Sequence, residues 1–239
     1  MKKLLFTLLL LVTPAWCTIT LVHTTTNNSC SGATTCVITL SANFTSGNGA
    51  VVMMQNGTTG TTTSSFNTGC TASWTEVPAT RQSATGIGAA DASYCTNVTG
   101  GVGSVTITIS TTFASGNVTI WEFSSSLGGI ALDSGATPGN IQNNSANCTA
   151  CTGVTLVLSG NNNFIAFVGL SGGTCSAVTG TGMTLDNNDH GNCEGHGITS
   201  GSLTAPTTFT QTSGQNFGTA LAMMESSGVS VKSMVPTVE

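Results

Sequence analysis

The sequence predicts an all-β fold: a two-sheet antiparallel β-sandwich, jelly-roll-like, with about a dozen short strands and disulfide-stapled loops. Three observations carry this. Ser104-Val-Thr-Ile-Thr-Ile-Ser110 alternates cleanly, with Val105, Ile107 and Ile109 on one face and threonines on the other, the pattern of a half-buried strand. Three further segments, 117–123, 163–170 and 219–224, are apolar on both faces, as central strands covered on both sides must be. Long-chain helix formers are scarce, and Gly, Thr, Ser and Asn interrupt nearly every window, which leaves little room for a helix.

Taken in order, the chain opens with Lys2 and Lys3, an apolar run from Leu4 to Val12, and then Ala15-Trp16-Cys17. A basic start, a short apolar core and a small-residue exit are the parts of a secretory signal peptide, expected over 1–17. The run is shorter than the roughly 20 residues that span a bilayer, so no membrane span is expected after cleavage. A single β-sandwich domain is expected over 18–226, followed by a C-terminal tail over 227–239. Additional strands are expected near 18–24, 35–42, 50–55, 73–77, 90–96, 154–159, 182–186, 197–202 and 207–212. Turn signals such as Ser46-Gly-Asn-Gly49 and Ser171-Gly-Gly173 separate them. No fixed period of a solenoid is visible.

Nine cysteines are present, and removal of Cys17 leaves an even set. They fall in local couples: Cys30 with Cys36, Cys70 with Cys95, Cys148 with Cys151, and Cys175 with Cys193. Each couple brackets a turn-rich segment, so sequential disulfides are expected, although other connectivities are open. Such a set belongs to a secreted, extracellular or cell-surface protein.

Charge is the most unusual feature. Only 5% of residues are charged. Without the leader, Arg81 and Lys232 stand against nine acids. Nucleic-acid binding needs clustered Lys and Arg and is excluded. The 44 threonines, with Ser, Asn and Gly, must wet the surface instead. An ordered-water face would need Thr-x-Thr ranks on adjacent strands, and Thr106-Ile-Thr108 supplies one.

Few residues suggest chemistry. The densest polar segment runs from Asp186 to His196. Asp186, Asn188 and Asp189 offer oxygen ligands for Ca²⁺, and His190 and His196 suit a transition metal. The competing reading is a solvent-exposed loop tied down by Cys193. Glu122 lies inside an apolar strand, where an acid is either hydrogen-bonded and structural or a general acid. A glycosidase would need a second carboxylate, for which Glu76, Asp91 and Asp133 are candidates. The three histidines, His23, His190 and His196, accompany no Gly-x-Ser-x-Gly elbow. Trp74 is a candidate sugar-stacking surface. The pairs Met53-Met54 and Met223-Met224 read as core.

Tyr94-Cys-Thr-Asn-Val98, Ile120-Trp-Glu-Phe-Ser124, Leu132-Asp133 and Thr219-Ala-Leu-Ala-Met-Met-Glu225 together resemble uncharacterised exported bacterial β-sandwich modules of concanavalin-like or jelly-roll type. The resemblance implies a sandwich and a surface role and carries over no functional residue. The expected function is a secreted or cell-surface, non-enzymatic structural or adhesion module with no cofactor. Surface glycans or copies of itself are the expected partners. The alternatives are a carbohydrate-binding module, Ca²⁺-assisted, and a glycoside hydrolase using Glu122.

Overall fold

The structure is a computed structural model. It describes residues 18–57, 63–84, 88–134, 139–143, 150–151, 155–159, 162–171, 174–180, 182–189, 192–200, 204–206, 208–211 and 216–226. The expected leader, the expected tail, Cys148 and His190 lie outside the described residues.

The first half of the chain forms β1 (Ile19–Cys30), β2 (Thr35–Thr39), β3 (Gly49–Asn56), β4 (Ser64–Asn67), β5 (Thr75–Glu76), β6 (Gln82–Ala84), β7 (Gly88–Cys95), β8 (Ser104–Ile109) and β9 (Gly116–Ser125). The second half forms β10 (Ile130–Leu132), β11 (Gly139–Asn143), β12 (Ala150–Cys151), β13 (Thr155–Val157), β14 (Asn162–Ser171), β15 (Cys175–Thr179), β16 (Met183–Asn187), β17 (Asn192–Ser200), β18 (Thr204–Pro206), β19 (Thr208–Gln211) and β20 (Asn216–Glu225). A short 3₁₀ turn, Pro78–Thr80, interrupts the strands of the first half. Among the described residues these strands pair antiparallel throughout.

The two halves follow one plan. The first large sheet runs β1-β9-β3-β7-β5, with β6 also on β7. The second runs β10-β20-β14-β17-β16, with β11 also on β20. Two three-stranded sheets, β2-β8-β4 and β12-β19-β15, repeat the same relation. The short pair β13-β18 completes the set. Contacts of β3 with β14, β1 with β16 and β6 with β20 place the large sheets face to face in reversed order. The plan repeats once per half-chain, a spacing far longer than the short periods of solenoids.

Each central strand serves two cores. Val51 and Met53 of β3, Trp121 and Phe123 of β9, and Phe164, Ala166 and Leu221 of the second sheet fill the middle layer. Phe123 and Phe164 stack there at 4.4 Å between ring centroids. The alternate residues face outward. Val52, Met54 and Ile120 pack on Ile38, Val105 and Ile107 of the small sheet. Ile165, Phe167 and Ala220 pack with Leu156 and Val178 on the far side. The segments apolar on both faces are therefore central strands, as their pattern predicts. Both methionines of Met53-Met54 are fully buried, in opposite cores.

Three of the four expected disulfides form: Cys30–Cys36, Cys70–Cys95 and Cys175–Cys193. The fourth, Cys148–Cys151, falls outside the described residues. Cys70–Cys95 spans a separation of 25 residues, a loop whose closure restricts the unfolded chain by about 3 kcal/mol. Reduction should therefore lower the melting temperature under otherwise fixed conditions. A Cys70→Ser/Cys95→Ser variant should lose about 3 kcal/mol by denaturant titration, and an unchanged midpoint would remove this bridge from the stability argument.

Candidate functional site

Two polar clusters lie within the apolar layers. The first begins with a register fault in β1. Leu21 pairs with Phe123, but His23 pairs with Glu122. One extra residue, Val22, is bulged out and exposed. A bulge reverses the facing of everything after it. His23 thus shares the face of Glu122, although simple alternation would put it with Leu21.

Glu122 is fully buried. Its Oε1 accepts the Thr45 N–H at 2.8 Å and the Asn48 Nδ2 at 2.5 Å. Its Oε2 meets His23 Nε2 at 2.6 Å. The imidazole stacks beside Phe44, and its Nδ1 lies 3.3 Å from the Ser41 Oγ. Ser41 is exposed. Its hydroxyl is 2.9 Å from the Thr24 carbonyl, and its N–H donates to Thr25 Oγ1. Glu122 has the expected hydrogen-bonded surroundings, and the histidine–serine line leading from it to the surface is additional.

The second half holds its own buried acid, Asp133. It accepts the Ser159 N–H at 2.9 Å and the Asn163 Nδ2 at 2.7 Å, and the Ser159 hydroxyl bonds it directly. Each half thus uses a buried carboxylate to hold a loop amide and an asparagine near the start of its central strand. In the first half an imidazole stands between the acid and the loop serine.

The second cluster is the seam where β16 and β17 face β9 and β3. The segment expected as an exposed loop is a hairpin instead, with β16 reaching Asn187 and β17 starting at Asn192. Asp186, Asn187, Asn192 and Glu194 turn into the interlayer, where they find partners on the opposite sheet. Asp186 accepts the Trp121 indole N–H at 2.8 Å and lies 2.7 Å from His196 Nδ1. Glu194 is fully buried, bonded by the Thr119 hydroxyl and by Asn187 Nδ2 at 2.7 Å. Asn187 Nδ2 also reaches Asn28 Oδ1, and Asn192 Nδ2 reaches Gln55 Oε1.

Of the proposed metal ligands, Asp186 is turned inward to the imidazole and indole. Asn188 and Asp189 are exposed, and His190 lies outside the described residues. Among the described residues no three of His, Cys, Asp or Glu gather at a metal-binding spacing. The candidate partners of Glu122 each sit in another network: Glu76 with Arg81, Asp91 with Ser64, and Asp133 with Ser159. Trp74 is half-buried, its N–H bonded to the Thr68 carbonyl and its ring tilted against Phe66.

Burial pushes the Glu194 carboxyl from 4.5 up to about 7, against the pull of its Thr119 and Asn187 hydrogen bonds. Burial likewise raises Asp91 from 3.8 to about 7, opposed by Ser64 and aided by nearby Glu76. Both acids hold their protons longer folded than unfolded. Their stabilisation is therefore complete below the ordinary carboxylate range and is lost as pH rises through about 7, by at most about 3–4 kcal/mol each. Denaturant midpoints should fall between pH 4 and 8, and Glu194→Gln should remove roughly half of that fall. A flat profile would place these groups in water. No family model, curated protein or solved structure matches the chain.

Proposed function

We propose that the protein is an extracellular adhesion or coat module that meets its partner through uncharged, hydroxyl-bearing sheet faces. The outer face of β2-β8-β4 is the observation that carries this reading. Thr35, Thr108 and Ser65 form one cross-strand rank, and Val37, Thr106 and Asn67 form the next. These residues are exposed or half-exposed, while Ile38, Val105 and Ile107 between them are buried. No outward position on the three strands carries a charge.

Ranks lie about 4.8 Å apart across strands and about 7 Å apart along them. Hydroxyls on that grid can donate and accept in turn, so they match a neutral, hydroxyl-rich surface such as cell-surface glycan. Three disulfides among the described residues are consistent with an oxidising compartment. No helix of the described residues is long and apolar enough to cross a membrane.

Retention on immobilised neutral polysaccharides tests the proposal. Binding should persist in about 1 M NaCl, since no ion pair carries it. The double variant Thr106→Lys/Thr108→Lys should abolish it while leaving the melting curve unchanged. Failure of the unaltered protein to bind, or full binding by the lysine variant, would overturn the assignment of this face. Binding that appears only with Ca²⁺ would shift the contact to the exposed Asn188 and Asp189 instead.

A further inference from the structure

Beyond that adhesive reading, we infer that Ser41, His23 and Glu122 form a relay competent for acyl transfer, with Ser41 as nucleophile, His23 as general base and Glu122 as the positioning residue. His23 Nε2 and Glu122 Oε2 are 2.6 Å apart, an ion-pair contact between buried atoms that have no other partner among the described residues and in which the ring N–H is not aligned on the carboxylate. Glu122 accepts two N–H donors on its other oxygen, so its Oε2 is left facing the imidazole. In the Nε2–H tautomer that the relay requires, Nδ1 turns its lone pair towards Ser41 Oγ, 3.3 Å away. That separation is within the loose range of such pairs before substrate binds.

The ring is turned over relative to the serine-protease arrangement, in which Nε2 faces the serine. The roles are set by geometry and not by which nitrogen fills them. Ser41 is exposed and its acid is fully buried, so the reacting end meets solvent while the charge-stabilising end stays dry. The second half supplies an internal contrast: there Ser159 bonds Asp133 directly, so its hydroxyl is held by the acid. In the first half the interposed His23 frees the serine from the carboxylate. The Ser41 proton now favours the Thr24 carbonyl at 2.9 Å, and a rotation of the hydroxyl brings it to Nδ1. The amides of Ala42 and Asn43, next in the chain, bond to no described residue and are the nearest donors in sequence for an oxyanion.

The substrate class is an acyl ester on an accessible alcohol. Ser41 Oγ bonds to the acyl carbon as its proton passes to Nδ1. The tetrahedral oxyanion collapses, the C–O bond to the alcohol breaks, and the alcohol leaves with the Nδ1 proton. Water repeats the sequence on the acyl-serine and releases the acid.

A fluorophosphonate probe tests the relay, because it phosphonylates an activated serine with loss of fluoride. Peptide mass spectrometry of the labelled full chain should place the adduct on Ser41. His23→Ala should slow labelling by about 100-fold or more. Glu122→Gln keeps an acceptor for Thr45 and Asn48 but presents an N–H₂ to the ring. It should move the imidazole proton to Nδ1, seen in the ¹⁵N NMR signals of His23, and slow labelling similarly. Melting curves confirm that each variant is folded. Absence of a Ser41 adduct on the folded protein would overturn the inference. So would equal labelling of the His23→Ala variant, or an Nδ1–H tautomer in the unaltered chain.

Discussion

Central strands with apolar side chains on both faces have to be covered twice, and the rest of the molecule is arranged around that demand. In β3, β9, β14 and β20, neighbouring residues belong to different cores: Val51 faces the middle layer and Val52 an outer one. A two-layer sandwich leaves one face of each sheet wet, which suits a strand such as β8 but not these. Stacking the two large sheets on each other and backing each with a small one resolves the problem. The hydroxyl-rich faces are then confined to the outside, where hydration is favourable and strand propensity of threonine is retained.

The polar groups inside follow from the same stacking. A long strand crossing between two covered layers cannot be apolar along its whole length without losing its register. The buried acids Glu122 and Asp133 each hold an amide N–H and an asparagine, which fixes where the incoming strand begins. Burial of such groups is tolerable only because their hydrogen bonds are made within the protein. Glu194 and Asp91 are hydrogen-bonded as well, and burial raises both carboxyls to about 7.

Much of the fold was legible in the residues. The alternation of β8, the double-faced apolar segments and the local cysteine couples describe what they become, because each depends on neighbours in sequence. The site was less so. His23 stands two residues from Leu21, and strict alternation assigns both to one face; only the bulge at Val22 separates them, and nothing in the composition there announces it. Ser41 and Glu122 are brought to His23 by pairing across the whole first half. The Asp186–His196 segment misled for a different reason. Its Asn, Asp and Gly content is that of a loop, but the partners that satisfy those side chains, Asn28, Gln55, Thr119 and Trp121, lie on the facing sheet. The repeated half-chain plan is carried by strand order and burial, not by a short repeat of letters.

That repeated plan has a consequence for behaviour on dilution. Two bodies of like topology stacked in reversed order are the geometry of a twofold dimer. Here both sit on one polypeptide, joined between Ser125 and Ile130. An association between separate chains weakens on dilution, because its stability depends on concentration. The same contact within one chain is unimolecular and indifferent to it. The chain thus keeps its central layer closed at any concentration, with no assembly step between separate molecules.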